Sequence, residues 1–445
     1  MNIQQFVAES LGDSSYLLVS GGEAAVVDPQ RDIRPFLKAA AGFGAAIKYV
    51  VETHVHNDYV SGGRELAALG AEVLVPVGSR IEFPHREFGE DAPLEVGSSK
   101  LLAVKSPGHT YEHTAYLAAH PDGRIEAAFT GGSLLMASAG RTDLLGPDHT
   151  EELTRLQWES AHRLMQLVPG EADVLPTHGA GSFCSSTGTG IGRSGPMTVE
   201  MKRNPALSAA TYELFREAQL SSAAPIPAYY RHMAPINRKG PKVYGLPPSP
   251  QPLTSGMFAE LPPEVVRIDV RRRQDYAAGH LPGTLEIEES NTMLAYLGWL
   301  TEFNAPIALV AYNQLQADRV TTDLFRIGYE RVAGWVDFTA AERLEELPTV
   351  TAEEAAAVLK RGKHPVVDVR YANEHREEPL AGAIELPFDE LTRRAGDLPE
   401  GPVVVVCASG QRSTMAASYL RARGIGAVPL IEGGAAEVRQ ALSLT

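Results

Sequence analysis

Cysteine is almost missing: Cys184 and Cys407 are the only two among 445 residues. That excludes a disulfide framework and points to reduced thiols in a cytoplasmic setting. Positive charge is also short, with 40 Lys and Arg against 55 Asp and Glu and a net charge of −15. A nucleic-acid backbone needs a basic face, so nucleic acid is excluded as the main partner. No uncharged apolar run approaches the ~18 residues of a membrane helix, so no membrane partner is expected. The opening MNIQQFVAESLGDSSY lacks a basic stretch ahead of an apolar one, and no signal peptide is expected there. What is present is the composition of a folded protein, 44% apolar and 21% charged. The chain is too long for one core; at roughly 100–200 residues per domain it should hold two to four.

Residues 1–185 alternate short apolar runs with helical stretches. Runs starting at Tyr16, Ala24, Ile47 and Ala71 read as buried strands. Further strands lead into Ser106-Pro107-Gly108-His109, Phe129-Thr130-Gly131-Gly132 and Leu175-Pro176-Thr177-His178. Polar loops placed directly after strands suit a site gathered at one edge of packed sheets. Residues 186–252 shift to Gly, Ser and Thr and then to Pro, which predicts a helical extension and a surface linker.

The remaining sequence contains a repeat. Val265-Val266-Arg267-Ile268-Asp269-Val270-Arg271 returns as Pro365-Val366-Val367-Asp368-Val369-Arg370, and Ile307–Val310 matches Val403–Val406. The offsets, 99 residues from Asp269 to Asp368 and 96 from Val310 to Val406, agree well enough for two copies of one fold. Apolar strands alternating with helices predict parallel α/β domains at 253–345 and 350–445.

In the second copy the strand runs into Cys407-Ala408-Ser409-Gly410-Gln411-Arg412-Ser413. A strand, a Gly/Ser loop and a helix start aim backbone N–H groups and a helix dipole at one point. A thiol there should be acidified, with Cys407 the nucleophile and Ser409, Gly410, Gln411 and Ser413 around the substrate. Arg412 can add charge toward an anionic substrate. In the first copy Ala311 takes the cysteine position, and no thiol, glycine cradle or matching arginine follows.

Thr53-His54-Val55-His56-Asn57-Asp58-Tyr59 stands at the end of a strand, with His109 and His178 in comparable loops. A single histidine is more often structural, but His-x-His-x-Asp plus two further histidines is a metal-binding pattern. His54, His56, Asp58, His109 and His178 are the candidate ligands, and His54, His56 and His109 alone would suffice for one zinc ion.

The Cys407 loop, Asp368 and the two-copy layout resemble the rhodanese sulfurtransferases. The histidine loops, with Asp28 at an early strand end, resemble the metallo-β-lactamase fold. Glu52–Asp58 and Gly140-Arg141-Thr142-Asp143-Leu144 are similar to persulfide dioxygenases. The order of the parts resembles bacterial fusions of a persulfide dioxygenase with a rhodanese. This implies a multidomain α/β protein: an αββα metallo-β-lactamase sandwich over 1–185, then two rhodanese-like α/β domains with parallel sheets, the first without its cysteine. It implies one Fe(II) on His54 and His109, oxidation of a low-molecular-weight thiol persulfide with O2 to sulfite, and sulfur transfer at Cys407 involving thiosulfate or sulfite. It also implies that Cys184 receives or relays sulfur. A homo-oligomer is expected. The family's third ligand, an aspartate, is replaced by Gly132, so zinc or no metal stays open, and Gly132→Asp is expected to restore iron. Two other readings stay open: a sulfurtransferase with a catalytically dead first domain, and a mononuclear-zinc thioester hydrolase fused to rhodanese modules.

Overall fold

The computed structural model describes residues 1–179, 181–185, 192–221, 224–340, 344–362 and 364–443. Ala180, before Cys184, and 186–191, which open the expected extension, lie outside the described residues. The chain divides into two compact units, Met1–Pro247 with Phe325–Gly328, and Pro248–Leu324 with Tyr329–Thr445. Among the described residues no helix is long and apolar enough to cross a membrane.

The first unit is built on two six-stranded sheets. One holds β1 (Asn2–Ala8), β2 (Asp13–Ser20), β3 (Glu23–Val27), β4 (Ala46–Val51), β5 (Glu72–Val75) and β6 (Arg86–Glu87), side by side in that order. The other runs from β7 (Leu94–Val96) through β8 (Ser99–Lys105), β9 (Thr114–Ala119), β10 (Ile125–Gly131) and β11 (Asp173–Pro176) to β12 (Gly195–Pro196). Alternation sends Tyr16, Leu18, Val27 and Val51 from one sheet to meet Leu101, Tyr116, Ala118 and Phe129 from the other. The opposite faces are covered by helices. Phe36 and Ala40 of α1 (Arg34–Gly42) pack on the first sheet, and Ala161 and Leu164 of α2 (Pro147–Leu167) pack on the second. The four layers are αββα. Each fully buried Val, Leu or Phe here contributes roughly 1.5–3 kcal/mol.

The segment read as a helical extension and linker belongs, as far as Pro247, to this unit, and it carries helices between Met197 and Lys239. Met197, Ala206, Leu207 and Phe215 join the core beside α2. Asn237, from the helix Tyr230–Lys239, donates to the His56 and Tyr59 carbonyls at 3.0 and 2.8 Å. Lys202, Arg216 and Arg231 lie exposed on short helices whose apolar faces are buried.

The second unit holds two four-stranded parallel sheets of matching order. The first is β14-β13-β15-β16, with β13 (Val266–Asp269), β14 (Leu285–Glu286), β15 (Ile307–Ala311) and β16 (Val332–Asp337). The second is β18-β17-β19-β20, with β17 (Val366–Asp368), β18 (Ile384–Glu385), β19 (Val403–Val406) and β20 (Ala427–Pro429). Asp269 pairs with Val310 and Asp368 with Val406, so Ala311 and Cys407 stand at equivalent positions. Both aspartates hold the arginine two residues on. Arg271 reaches Asp269 and the Gly279 carbonyl, and Arg370 reaches Asp368 and the Glu378 carbonyl.

The two copies pack directly on each other. On α3 (Met293–Leu300), Tyr296 and Trp299 of the first copy meet Phe388 of the second at ring distances of 5.1 and 6.2 Å. Arg273 donates to the Ile431 carbonyl and Gln411 to Ser290, both at 2.9 Å. In the second copy α4 (Ala372–Glu377) follows β17, and α5 (Gln411–Arg421) leaves the Cys407 loop.

Candidate functional site

The loop after β4 delivers His54, His56 and Asp58, the turn after β8 delivers His109, and the end of β11 delivers His178. All five are buried. The ligand atoms of His54, His109 and His178 lie within 4.8 Å of one another. Each ring is fixed through its Nδ1. His54 Nδ1 meets Thr53 Oγ1 at 2.8 Å, His109 Nδ1 meets the Arg141 carbonyl at 2.8 Å, and His178 Nδ1 meets Asp13 at 2.9 Å. That leaves three Nε2 atoms converging, with His54 and His178 3.3 Å apart. His109 Nε2 is buried without a hydrogen-bond partner, and Asp58 Oδ2 lies 3.1 Å from His178 Nδ1. Orphaned buried acceptors are costly, and such a donor set fits a divalent metal ion.

A second triple, His56, Asp58 and His178, overlaps the first, and Asp28, Glu52 and His56 form a third. The combination His54, His56 and His109 is not among the convergent sets of the described residues. The reason is local: His56 Nε2 lies 3.2 Å from both Asp28 and Glu52 and 3.0 Å from Tyr59 Oη. Burial opposes charge on His56, yet those two carboxylates outweigh it and raise its pKa well above the ordinary value. Its Nδ1 is unpartnered. Burial likewise opposes charge on His178, but Asp58 and Asp13 bring it up to about 10. Burial pushes His109 down to about 3, so its ring is neutral.

Gly132 is enclosed by this cluster. A Cβ built there would stand 2.4 Å from His109 Cδ2, and the Gly132 N–H donates to His113 Nε2 at 2.9 Å. The expected gain from a carboxylate at 132 is therefore not what this site allows. Cys184 is fully buried, and its Sγ lies 3.8 Å from Tyr230 Oη. Burial, with Asp58 and Asp13 added, pushes its thiol well up, which favours the neutral thiol at the position expected to receive or relay sulfur.

Cys407 closes β19 and is 1% exposed. The Gly410 N–H donates to its Sγ at 3.1 Å, and Ser413 Oγ lies 3.5 Å away. Gly410 caps α5 at φ +92°, where a Cβ would meet the Ile431 carbonyl oxygen at 2.0 Å, so only glycine fits. Ser413 Oγ sits 2.9 Å from the Gly410 carbonyl and 2.6 Å from that of Leu430, tying the loop to the chain after β20. Ser409 is exposed, and Gln411 is held by Ser290. Arg412 departs from expectation. Both of its Nη atoms are engaged by Glu374, at 2.6 and 2.9 Å, so its charge is not free for an anionic substrate.

The metallo-beta-lactamase superfamily pattern matches residues 11–190 and the rhodanese-like domain pattern matches 351–441. The hydroxyacylglutathione hydrolase of Rhodospirillum rubrum is 30% identical over 196 residues, which are 43% of this chain and 68% of that protein. The chain belongs to the metallo-β-lactamase superfamily. The hydroxyacylglutathione hydrolase of Cereibacter sphaeroides is 32% identical over 175 residues, 38% of this chain and 64% of its own length. The chain thus spans about two thirds of these relatives, 64–68% of their length. Among solved structures, a metallo-beta-lactamase from Staphylococcus aureus superposes with a TM-score of 0.68 at 25% identity. It covers 76% of this chain and 98% of its own. The αββα unit is the metallo-β-lactamase domain, and the second copy is the rhodanese-like domain.

The first copy fills its loop with its own side chain. Gln316 Oε1 accepts the Tyr312 N–H at 2.9 Å, and Gln316 Nε2 donates to the Val270 carbonyl and to Glu289. Three residues of the metal cluster escaped sequence reading. His113 stacks on His54 at 5.1 Å and has both nitrogens bonded, to Gly132 on one side and to Ser106 and Ser133 on the other. Asp13 orients His178, and Glu52 holds His56. His113 follows His109 by four residues, a spacing that pointed to the same loop; Asp13 had no local signal.

Proposed function

We propose that the chain handles sulfane sulfur: its first unit oxidises a low-molecular-weight thiol persulfide to sulfite, and Cys407 transfers sulfur between persulfide, thiosulfate and a thiol acceptor. The observation that carries this reading is the Cys407 loop. There a sulfur atom receives the Gly410 N–H at 3.1 Å, at the start of a buried helix in a rhodanese-like domain. Sulfur transfer follows from that placement. Cys407 Sγ attacks the outer sulfur of R–S–SH, one S–S bond forms as another breaks, and R–S⁻ leaves with the electron pair. The Gly410 N–H and the α5 dipole stabilise negative charge on either sulfur.

In the metallo-β-lactamase domain, His54, His109 and His178 would hold one divalent ion, and Asp58 would offset part of its charge. An iron(II) ion bound there supplies O2 activation for R–S–SH + O2 + H2O → R–SH + SO3²⁻ + 2 H⁺. The chain's own part is orientation and exclusion. Thr53, the Arg141 carbonyl and Asp13 set the three rings, and burial keeps bulk water out. The likeness to hydroxyacylglutathione hydrolases supports a second reading, thioester hydrolysis on zinc.

Metal analysis of protein produced with iron and zinc supplied, paired with O2 uptake on glutathione persulfide, separates the readings. Bound iron with O2 uptake supports oxidation. Zinc with hydrolysis of a hydroxyacylglutathione overturns it, and an absence of metal leaves sulfur transfer alone. Cys407→Ser should abolish thiocyanate formation from thiosulfate or persulfide and cyanide. Activity surviving in that variant would sink the transfer assignment.

A further inference from the structure

Arg412 and Glu374 form a forked ion pair, with Nη1 to Oε2 at 2.6 Å and Nη2 to Oε1 at 2.9 Å. Glu374 is pinned from a second side, because Oε2 also accepts the Tyr371 N–H at 2.8 Å as one arm of the capping box that starts α4. The Tyr371 ring lies 4.4 Å from the guanidinium carbon, and the Arg412 side chain is only 9% exposed. The cation is thus held by a carboxylate on its edge and an aromatic ring on its face. Trp299, from the cysteine-free copy, lies 5.8 Å from the Tyr371 ring. Arg412, five residues after the thiol, is therefore set among rings with its charge paired.

We propose that Glu374 is a positioning residue that sets donor choice at Cys407: by engaging Arg412 it cancels the charge a dianionic donor needs, and the loop takes sulfur from organic persulfides in preference to thiosulfate. This rests on the sulfur-transfer reading of Cys407. With thiosulfate the step is Cys407–S⁻ + S–SO3²⁻ → Cys407–S–S⁻ + SO3²⁻; the sulfane sulfur bonds to Sγ, and sulfite leaves with the electron pair of the broken S–S bond. Two negative charges then converge beside a cation already paired. At its reacting sulfurs a persulfide brings at most one negative charge, against two for thiosulfate, and it adds a carbon body that the rings can accept.

The test uses the full chain and compares wild type, Glu374→Gln and the double variant Glu374→Gln/Arg412→Gln. Glutamine keeps the capping arm while losing the charge. The readout is the ratio of kcat/KM for cyanolysis with thiosulfate to that with glutathione persulfide, with intact mass reporting one added sulfur atom at Cys407. In Glu374→Gln the ratio should rise about tenfold, through a lower KM for thiosulfate, as expected for one freed charge-assisted contact. The double variant should lose that gain. An unchanged ratio in Glu374→Gln, or a gain that survives loss of Arg412, overturns the proposal. If wild-type Cys407 gains no sulfur from either donor, the transfer reading itself falls, and the proposal with it.

Discussion

At Gly132 a carboxylate has no room, because the His109 ring already occupies the space its Cβ would take. Gly132→Asp should therefore push His109 off its Arg141 anchor, and bound metal should fall rather than rise. Metal content per chain and a thermal melt check this; more bound metal in the variant would mean that the ring can move aside. Glu286, in β14, raises a different question at the same scale. It is fully buried, and one carboxylate oxygen lacks a hydrogen-bond partner. Burial, then Glu288 and Asp269, raises its pKa well above the ordinary 4.5. Above pH 4.5 the folded chain holds a proton that the unfolded chain has released, so this group's contribution to stability is lost as pH rises. Glu286→Gln should melt roughly 2–4 °C higher than wild type at pH 8, the shift about 1 kcal/mol gives in a large domain. Near pH 4 the two should coincide, and equal melting at pH 8 would contradict the assignment.

At the scale of elements, the two loops that end β15 and β19 share a register and differ in contents. Ala311→Cys in a chain that already carries Cys407→Ser should yield no thiocyanate. The new thiol would find the Tyr312 N–H already taken by Gln316 and no glycine in the left-handed position that Gly410 occupies. Appreciable cyanolysis by that double variant would show a working pocket in the first copy. The comparison also shows what was legible beforehand. Strands β2 to β5 and the loops carrying His54, His109, His178 and Cys407 were readable, because each is an apolar run ending in polar residues. Strand β1 was not: NIQQFVA is polar at its start and gains its place only by pairing with β2. The roles of Glu374 and Asp13 were invisible for the same physical reason. Glu374 meets Arg412 across 38 residues and Asp13 meets His178 across 165, so no local pattern encodes either contact. The helices between Met197 and Lys239 agree with the helical extension read from 186–252, but the core contacts of their apolar faces had no local signal.

For the whole molecule, the cysteine-free copy is a structural partner of the active one. Tyr296 and Trp299 cover Phe388, Gln411 is held by Ser290, and Arg273 binds the Ile431 carbonyl beside the Gly410 turn. A chain lacking residues 253–345 should lose sulfur transfer even though Cys407 and its loop remain, and it should expose Phe388 and aggregate more readily. Light scattering with a cyanolysis assay tests this. A monodisperse, fully active truncated chain would show that the first copy is dispensable.

The filled loop of the first copy also fixes an ordering in time. On the proposed sulfur transfer, with Ala311 at the position of a second thiol and Cys184 buried against Tyr230, one Sγ would serve donor and acceptor alike. That sulfur is 1% exposed, at the foot of a tight turn, so the two cannot approach it together. On that reading the first product would have to depart before the second reactant arrives. Steady-state velocities measured against donor at several fixed acceptor concentrations should give parallel reciprocal lines, the signature of double displacement.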